Sequence, residues 1–123
     1  MNVPGFLVRQ LYVAGSLRNA GEGFELRARN AFGDGMLVGI GRLSVDGRPI
    51  DRAAVAAFPD DGSSPILAAD VSRRRPVRFR RGDAITLRVA GTVLEPGEHH
   101  LAVELDELNL GRLRFQISDR LAG

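Results

Sequence analysis

Cysteine, lysine and tryptophan are all missing from this chain. Without cysteine there is no disulfide framework, no thiolate nucleophile and no thiolate-held metal. That absence also fits the cytoplasm, where we expect the protein to reside. Histidine is nearly absent: His99 and His100 are the only two, and they are adjacent. Neighbours in a strand point to opposite faces, so the pair does not chelate one ion, and no third ligand stands at a telling spacing. No metal site and no cofactor are expected in this chain. Long apolar runs are lacking too. None approaches the roughly 20 residues that a membrane-crossing helix needs. The opening segment, MNVPGFLVRQLYVAGS, has no cationic start and is interrupted by Arg9 and Gln10, so it makes a poor signal peptide.

Reactive motifs are equally scarce. Ser16, Ser44, Ser63, Ser64, Ser72 and Ser118 have no nucleophile-elbow context. Gly33-Asp-Gly35 and Gly39-Ile-Gly41 lack the spacing of a phosphate-cradling loop. Asp60-Asp61-Gly62 lacks the spaced oxygen ligands of a calcium loop and reads as a turn. No catalytic residue is assigned. The missing lysine means that all 17 basic residues are arginine, set against 15 acidic ones for a net charge of +2. A GC-rich coding sequence explains that bias simply. It is weak evidence for nucleic acid, which is not an expected partner.

What the chain does contain is a strand pattern. Its 123 residues, 44% hydrophobic and 26% charged, suffice for a single domain over 1–123 with a real core. Folding residues 101–117 back about Asn109 sets Leu101 against Ile117, Val103 against Phe115 and Leu105 against Leu113. The same register sets Glu104 against Arg114 and Asp106 against Arg112. A one-residue slip would destroy both matches, because side chains alternate faces with period two. The carboxylates of Glu104 and Asp106 thereby gain arginines, which lower their pKa and spoil them as general acids.

Further strands are expected at residues 6–13, around Phe24, Leu26 and Ala28, over Met36 to Val45, at Ile66 to Val71 and over Ala84 to Val89. The glycines at 39 and 41 predict a bulge or a close backbone approach. Asp46-Gly47 is a hairpin signal. Residues 51–58 read as one or two helical turns capped by Asp51, or as a short strand. The sum is an all-β fold: an antiparallel β-sandwich of immunoglobulin or fibronectin type, with seven to eight short strands and at most one short helix.

One segment stands out by charge. Arg73, Arg74, Arg75, Arg78, Arg80 and Arg81 fall within nine residues. Alternation puts Val77 and Phe79 on one face and Arg78 and Arg80 on the other. These arginines are candidates for contact with an acidic partner or an anion. A solvated outer face that blocks edge pairing is the simpler reading.

The order of segments adds a resemblance. Gly15-Ser-Leu-Arg-Asn19, Gly23-Phe-Glu-Leu-Arg27, Leu43-Ser-Val-Asp-Gly47, Phe79-Arg-Arg-Gly-Asp83 and Leu94-Glu-Pro-Gly-Glu-His99 follow one another across residues 11–118. This order resembles the small β-sandwich family of C-glycoside deglycosidase β subunits. The resemblance implies a non-catalytic accessory subunit in carbohydrate metabolism. Its partner would be a barrel-type catalytic subunit carrying a divalent metal, a lyase that cleaves the carbon–carbon bond of C-glycosides. Candidate contacts are then the arginine segment and the loop carrying Asn30, Phe32 and Asp34. The alternative is a self-associating sandwich, a homo-oligomer with no enzymatic partner.

Overall fold

The computed structural model describes residues 1–121. Among these residues ten strands run β1 (Arg18–Ala20), β2 (Gly23–Arg29), β3 (Met36–Val45), β4 (Arg48–Pro49), β5 (Val55–Pro59), β6 (Ile66–Leu67), β7 (Val77–Arg78), β8 (Ala84–Val89), β9 (Gly97–Glu107) and β10 (Gly111–Leu121). One sheet has the order β1-β2-β8-β5-β6. The other has the order β10-β9-β3-β4, with β7 also paired to β3. All the strand ladders are antiparallel. The protein is an all-β sandwich, as the alternation predicts. Its strand number exceeds seven or eight because β1, β4, β6 and β7 are pairings of only two or three residues.

The β9–β10 hairpin has the predicted register throughout, from Leu101↔Ile117 to Asp106↔Arg112. Leu101, Val103, Leu105, Leu113 and Phe115 are buried. On the opposite face Arg112 bonds Asp106 at 2.8 Å and Arg114 bonds Glu104 at 2.9 Å. β3 joins this pair with register shifts between Leu37 and Gly39 and between Ile40 and Leu43. The predicted bulge is therefore present, but the close approach is made by side chains. A Cβ on Gly39 would lie 2.5 Å from Asp106 Oδ2, and one on Gly41 would lie 2.8 Å from Glu104 Oε1. The glycines make room for the carboxylates of the charged ladder. Asp46 and Gly47 then turn the chain with φ of 53° and 79°.

Three local expectations need correction. Residues 6–13 are not a strand: Gly5–Gln10 form a 3-10 turn after Pro4. The buried positions there are Val8, Leu11 and Tyr12, a helical spacing that the overall apolarity of the run conceals. Residues 51–58 split in two. Asp51 accepts from Ala53 N at 2.9 Å and caps the turn Arg52–Ala54, after which the β-branched Val55 starts β5. The strand expected at Ile66–Val71 stops after Leu67, where Ala68–Asp70 turn.

Residues 1–13 strap the two sheets together. Val3 N donates to Arg114 O at 2.7 Å and Arg114 N to Met1 O at 2.9 Å, which extends the β10 edge. Ten residues later Val13 N donates to Arg27 O at 3.0 Å and Arg29 N to Leu11 O at 2.8 Å, on the edge of β2. Tyr12, 1% exposed, donates its hydroxyl to Asp119. Burial, then this bond, pushes the tyrosine hydroxyl far above its usual range. Between the sheets Phe24, Leu26, Leu37, Ile85, Leu87 and Leu105 are fully excluded from water. Each such side chain contributes roughly 1.5–3 kcal/mol.

Candidate functional site

The arginine segment begins at a tight turn. Ser72 and Arg75 exchange backbone bonds at 3.2 and 3.1 Å, and Ser72 Oγ accepts from the amides of Arg74 and Arg75. Arg73 and Arg74 therefore sit at the tip. Beyond it the alternation holds: Val77 and Phe79 are buried, while all six arginines are exposed. Phe79 belongs to the core, so the cluster offers no aromatic on which a base could stack. Arg75 lies 3.8 Å from Asp70 and Arg80 lies 3.7 Å from Asp83. Arg73, Arg74, Arg78 and Arg81 have no ion-pair partner among the described residues.

Arg75 and Arg78 line a groove of 470 Å³ between the 60–65 loop and β7. The opposite wall carries Ser63 and Ser64, and the apolar part comprises Met36, Ile66, Val77 and three prolines. Asp61 also borders it. The hydroxyl and amide of Ser63 bond this carboxylate, and the nearby charges of Arg78 and Arg80 add to that pull. Together they hold its carboxyl below the usual range.

The loop candidates adjoin this region, and Asn30 is what joins them. It is 5% exposed. Its Nδ2 donates to Phe79 O at 2.6 Å and to Gly33 O, and its Oδ1 accepts from Phe32 N at 2.9 Å. Its backbone bonds Asp83 O at 3.0 Å and Gly82 N at 2.7 Å. Asn30 is therefore committed to holding the loop against the arginine segment. Phe32 and Asp34 remain exposed and line a separate cleft of 250 Å³, with Leu110 and the buried Glu107.

Glu107 is the polar residue whose role the sequence reading missed. Burial alone would raise its carboxyl. The amides of Met36, Asn109 and Leu110, at 3.1, 2.8 and 3.0 Å, overcome that and hold it below its ordinary value. A signal existed: Glu107 continues the inward register Leu101, Val103, Leu105. Glu25 is a second buried carboxylate, between Arg18 at 3.5 Å and Arg88 at 3.6 Å. Glu104 is held low by the amide of Arg42 and by Arg114, and Asp106 by Arg112.

The histidines part company. His100 is exposed, 3.1 Å from Gln116 Oε1. His99 is 11% exposed at its side chain, with Nε2 2.6 Å from Glu95 O and Nδ1 2.7 Å from Asp46 Oδ2. Both ring nitrogens face acceptors, an arrangement that favours the doubly protonated ring. The Glu95 carbonyl first, and then Asp46, raise its pKa. A raised value stabilises the fold fully below the unfolded pKa of about 6.5, and that share is lost as pH rises through the folded value. Thermal unfolding between pH 6 and pH 9 should show stability falling, and His99→Gln should flatten the slope. An unchanged slope in the variant would refute this role. No group of three His, Asp or Glu able to hold a metal ion stands among the described residues. Nor is any helix there long and apolar enough to cross a membrane.

The geometry defines an antiparallel sandwich domain whose buried Asn30 and Glu107 are tied into its own framework, whose buried Glu25 lies between two arginines with Oε1 free of hydrogen bonds, and whose surface carries a cationic groove. The family model of the hydroxymethylglutaryl-CoA reductase N-terminal domain matches residues 7–122, and the chain belongs to that family. Comparison with curated proteins gives no match. The family match overturns the resemblance to C-glycoside deglycosidase β subunits. With it go the lyase and carbohydrate roles and the grounds for a barrel partner with its divalent metal. It gives the self-associating alternative no support either. The physical reason for the misreading is visible in the fold. Val45-Asp-Gly47 is a hairpin turn and Pro96-Gly97 opens β9, so these motifs report a sandwich's turns and not its lineage.

Proposed function

We propose that this domain is a non-catalytic module of a hydroxymethylglutaryl-CoA reductase. In this reading it binds the enzyme's catalytic portion, in the cytoplasm, and the reduction of hydroxymethylglutaryl-CoA takes place there and not on the sandwich. The observation that carries the reading is the state of the buried acids. Glu107 accepts from three backbone amides and Glu25 lies between two arginines. A general acid or base needs a proton-exchanging group free to face substrate; Glu107 is spent on backbone amides, and Glu25, whose Oε1 takes no hydrogen bond, is buried between two arginines. The family match supports the enzyme class.

The test is to mix the purified chain with the reductase catalytic domain of the same organism. Co-elution on size exclusion is expected, and no reduction of hydroxymethylglutaryl-CoA by the chain alone. Separate elution with an unchanged rate, or turnover by the lone chain, would overturn the proposal.

A further inference from the structure

The geometry points to the groove between β6 and β7 as the docking site for an extended acidic segment of a protein partner. This rests on the reading of the domain as a binding module and names the surface it uses.

The charge is the first argument. Arg75 and Arg78 line the groove, Arg80 lies near enough to Asp61 on its border to act on that charge, and Arg73, Arg74 and Arg81 flank them along the chain. Against these six stand the three carboxylates of Asp61, Asp70 and Asp83, which leaves arginine in excess. Arginine forks pair carboxylates bidentately, which rewards a carboxylate-bearing partner.

The shape is the second. The groove lies between two open sheet edges: β6 ends one sheet, and β7 pairs only with β3. An extended segment fits such a place. Pro65 and Pro76 directly precede β6 and β7 and lack a backbone N–H, so each open edge offers few ladder bonds. Side chains must then supply most of the recognition. Met36 and Ile66, both half-buried, suit apolar residues spaced between the partner's carboxylates. A free polyphosphate fits less well, because Asp61 borders the groove and repels concentrated negative charge. Nucleic acid would find no exposed aromatic in the groove to stack on.

The experiment is fluorescence anisotropy with a labelled octapeptide of alternating Glu and Leu, using the full chain. The Glu-Leu peptide should bind, and its Lys-Leu counterpart should not. The Arg75→Gln/Arg78→Gln variant should weaken binding roughly tenfold, while Arg73→Gln/Arg74→Gln, at the tip and off the groove, should change it by less than about threefold. Equal losses in the two variants would mean diffuse charge attraction and would overturn the groove. Displacement by inorganic pyrophosphate at matched ionic strength would overturn the peptide in favour of a phosphate ligand. Absence of wild-type binding would also overturn it. Failure of the groove and failure of the reductase reading separate cleanly. If only the groove is wrong, Arg75→Gln/Arg78→Gln still co-elutes with the catalytic domain. If only the reductase reading is wrong, the peptide binds but the catalytic domain elutes alone.

Discussion

Gly23→Ala should be among the most damaging single-methyl additions in this protein. Gly23 opens β2, and a Cβ there would lie 1.8 Å from the Val89 carbonyl oxygen and 2.9 Å from its carbon. Both atoms are backbone at the end of β8, the strand with which β2 pairs from Phe24↔Val89 onward. A flexible side chain could swing away, but a backbone carbonyl moves only if the ladder moves. The central strand β8 and its neighbour β2 must separate locally or unpair. We expect a loss of roughly 3 kcal/mol, or about 10 °C in Tm. Gly33→Ala is the control. Nothing lies within 4 Å of its added Cβ, and its backbone is not left-handed. Thermal melts of the two variants check the argument. Equal midpoints would mean that the β2–β8 contact is far more compliant than its geometry implies.

Glu107→Ala should cost about 3 kcal/mol by a different route. The carboxylate serves three amides at once, Met36 N at the start of β3 and Asn109 N and Leu110 N in the turn before β10. Removing it leaves these donors to find water or go unpaired, at roughly 1 kcal/mol or more each. Glu107→Gln retains an accepting oxygen and should recover part of the loss. The acid dependence has a defined sign. Glu107 is held below its ordinary value, so its contribution is complete above the unfolded pKa of about 4.3. It disappears as pH falls through the folded value. Glu104 and Asp106 act in the same direction. Urea unfolding at pH 7 and pH 3 should show a smaller acid loss in Glu107→Gln than in the parent chain. An identical loss in both would assign the acid sensitivity to other groups.

The hairpin of β9 and β10 was legible in the sequence because two independent signals, apolarity and charge, agreed on one register. β2 and β8 were legible from alternation, and β3 as a strand marked by its glycines. Residues 6–13 were not, because every residue type there suits a strand, and only tertiary burial singles out Val8, Leu11 and Tyr12. The charge of the arginine segment was plain, and so was its alternation. The groove was hidden, because it depends on the 60–65 loop folding opposite β7, a contact that no local pattern encodes. Asn30 read as a surface loop residue. Its burial follows from the loop closing on Phe79, forty-nine positions away. The family assignment was hidden for a related reason: turn motifs that any sandwich needs were read as a signature.

The strap formed by the leading residues also bears on how the molecule is made. Among the described residues, residues 1–3 bond to positions 112–114, so their docking waits until those positions have been made. Until then the strap has half its anchorage, through residues 11–13 on β2, and the matching half belongs to β10. Closure of this sandwich therefore joins segments 111 positions apart, and such long-range joining is the slow kind.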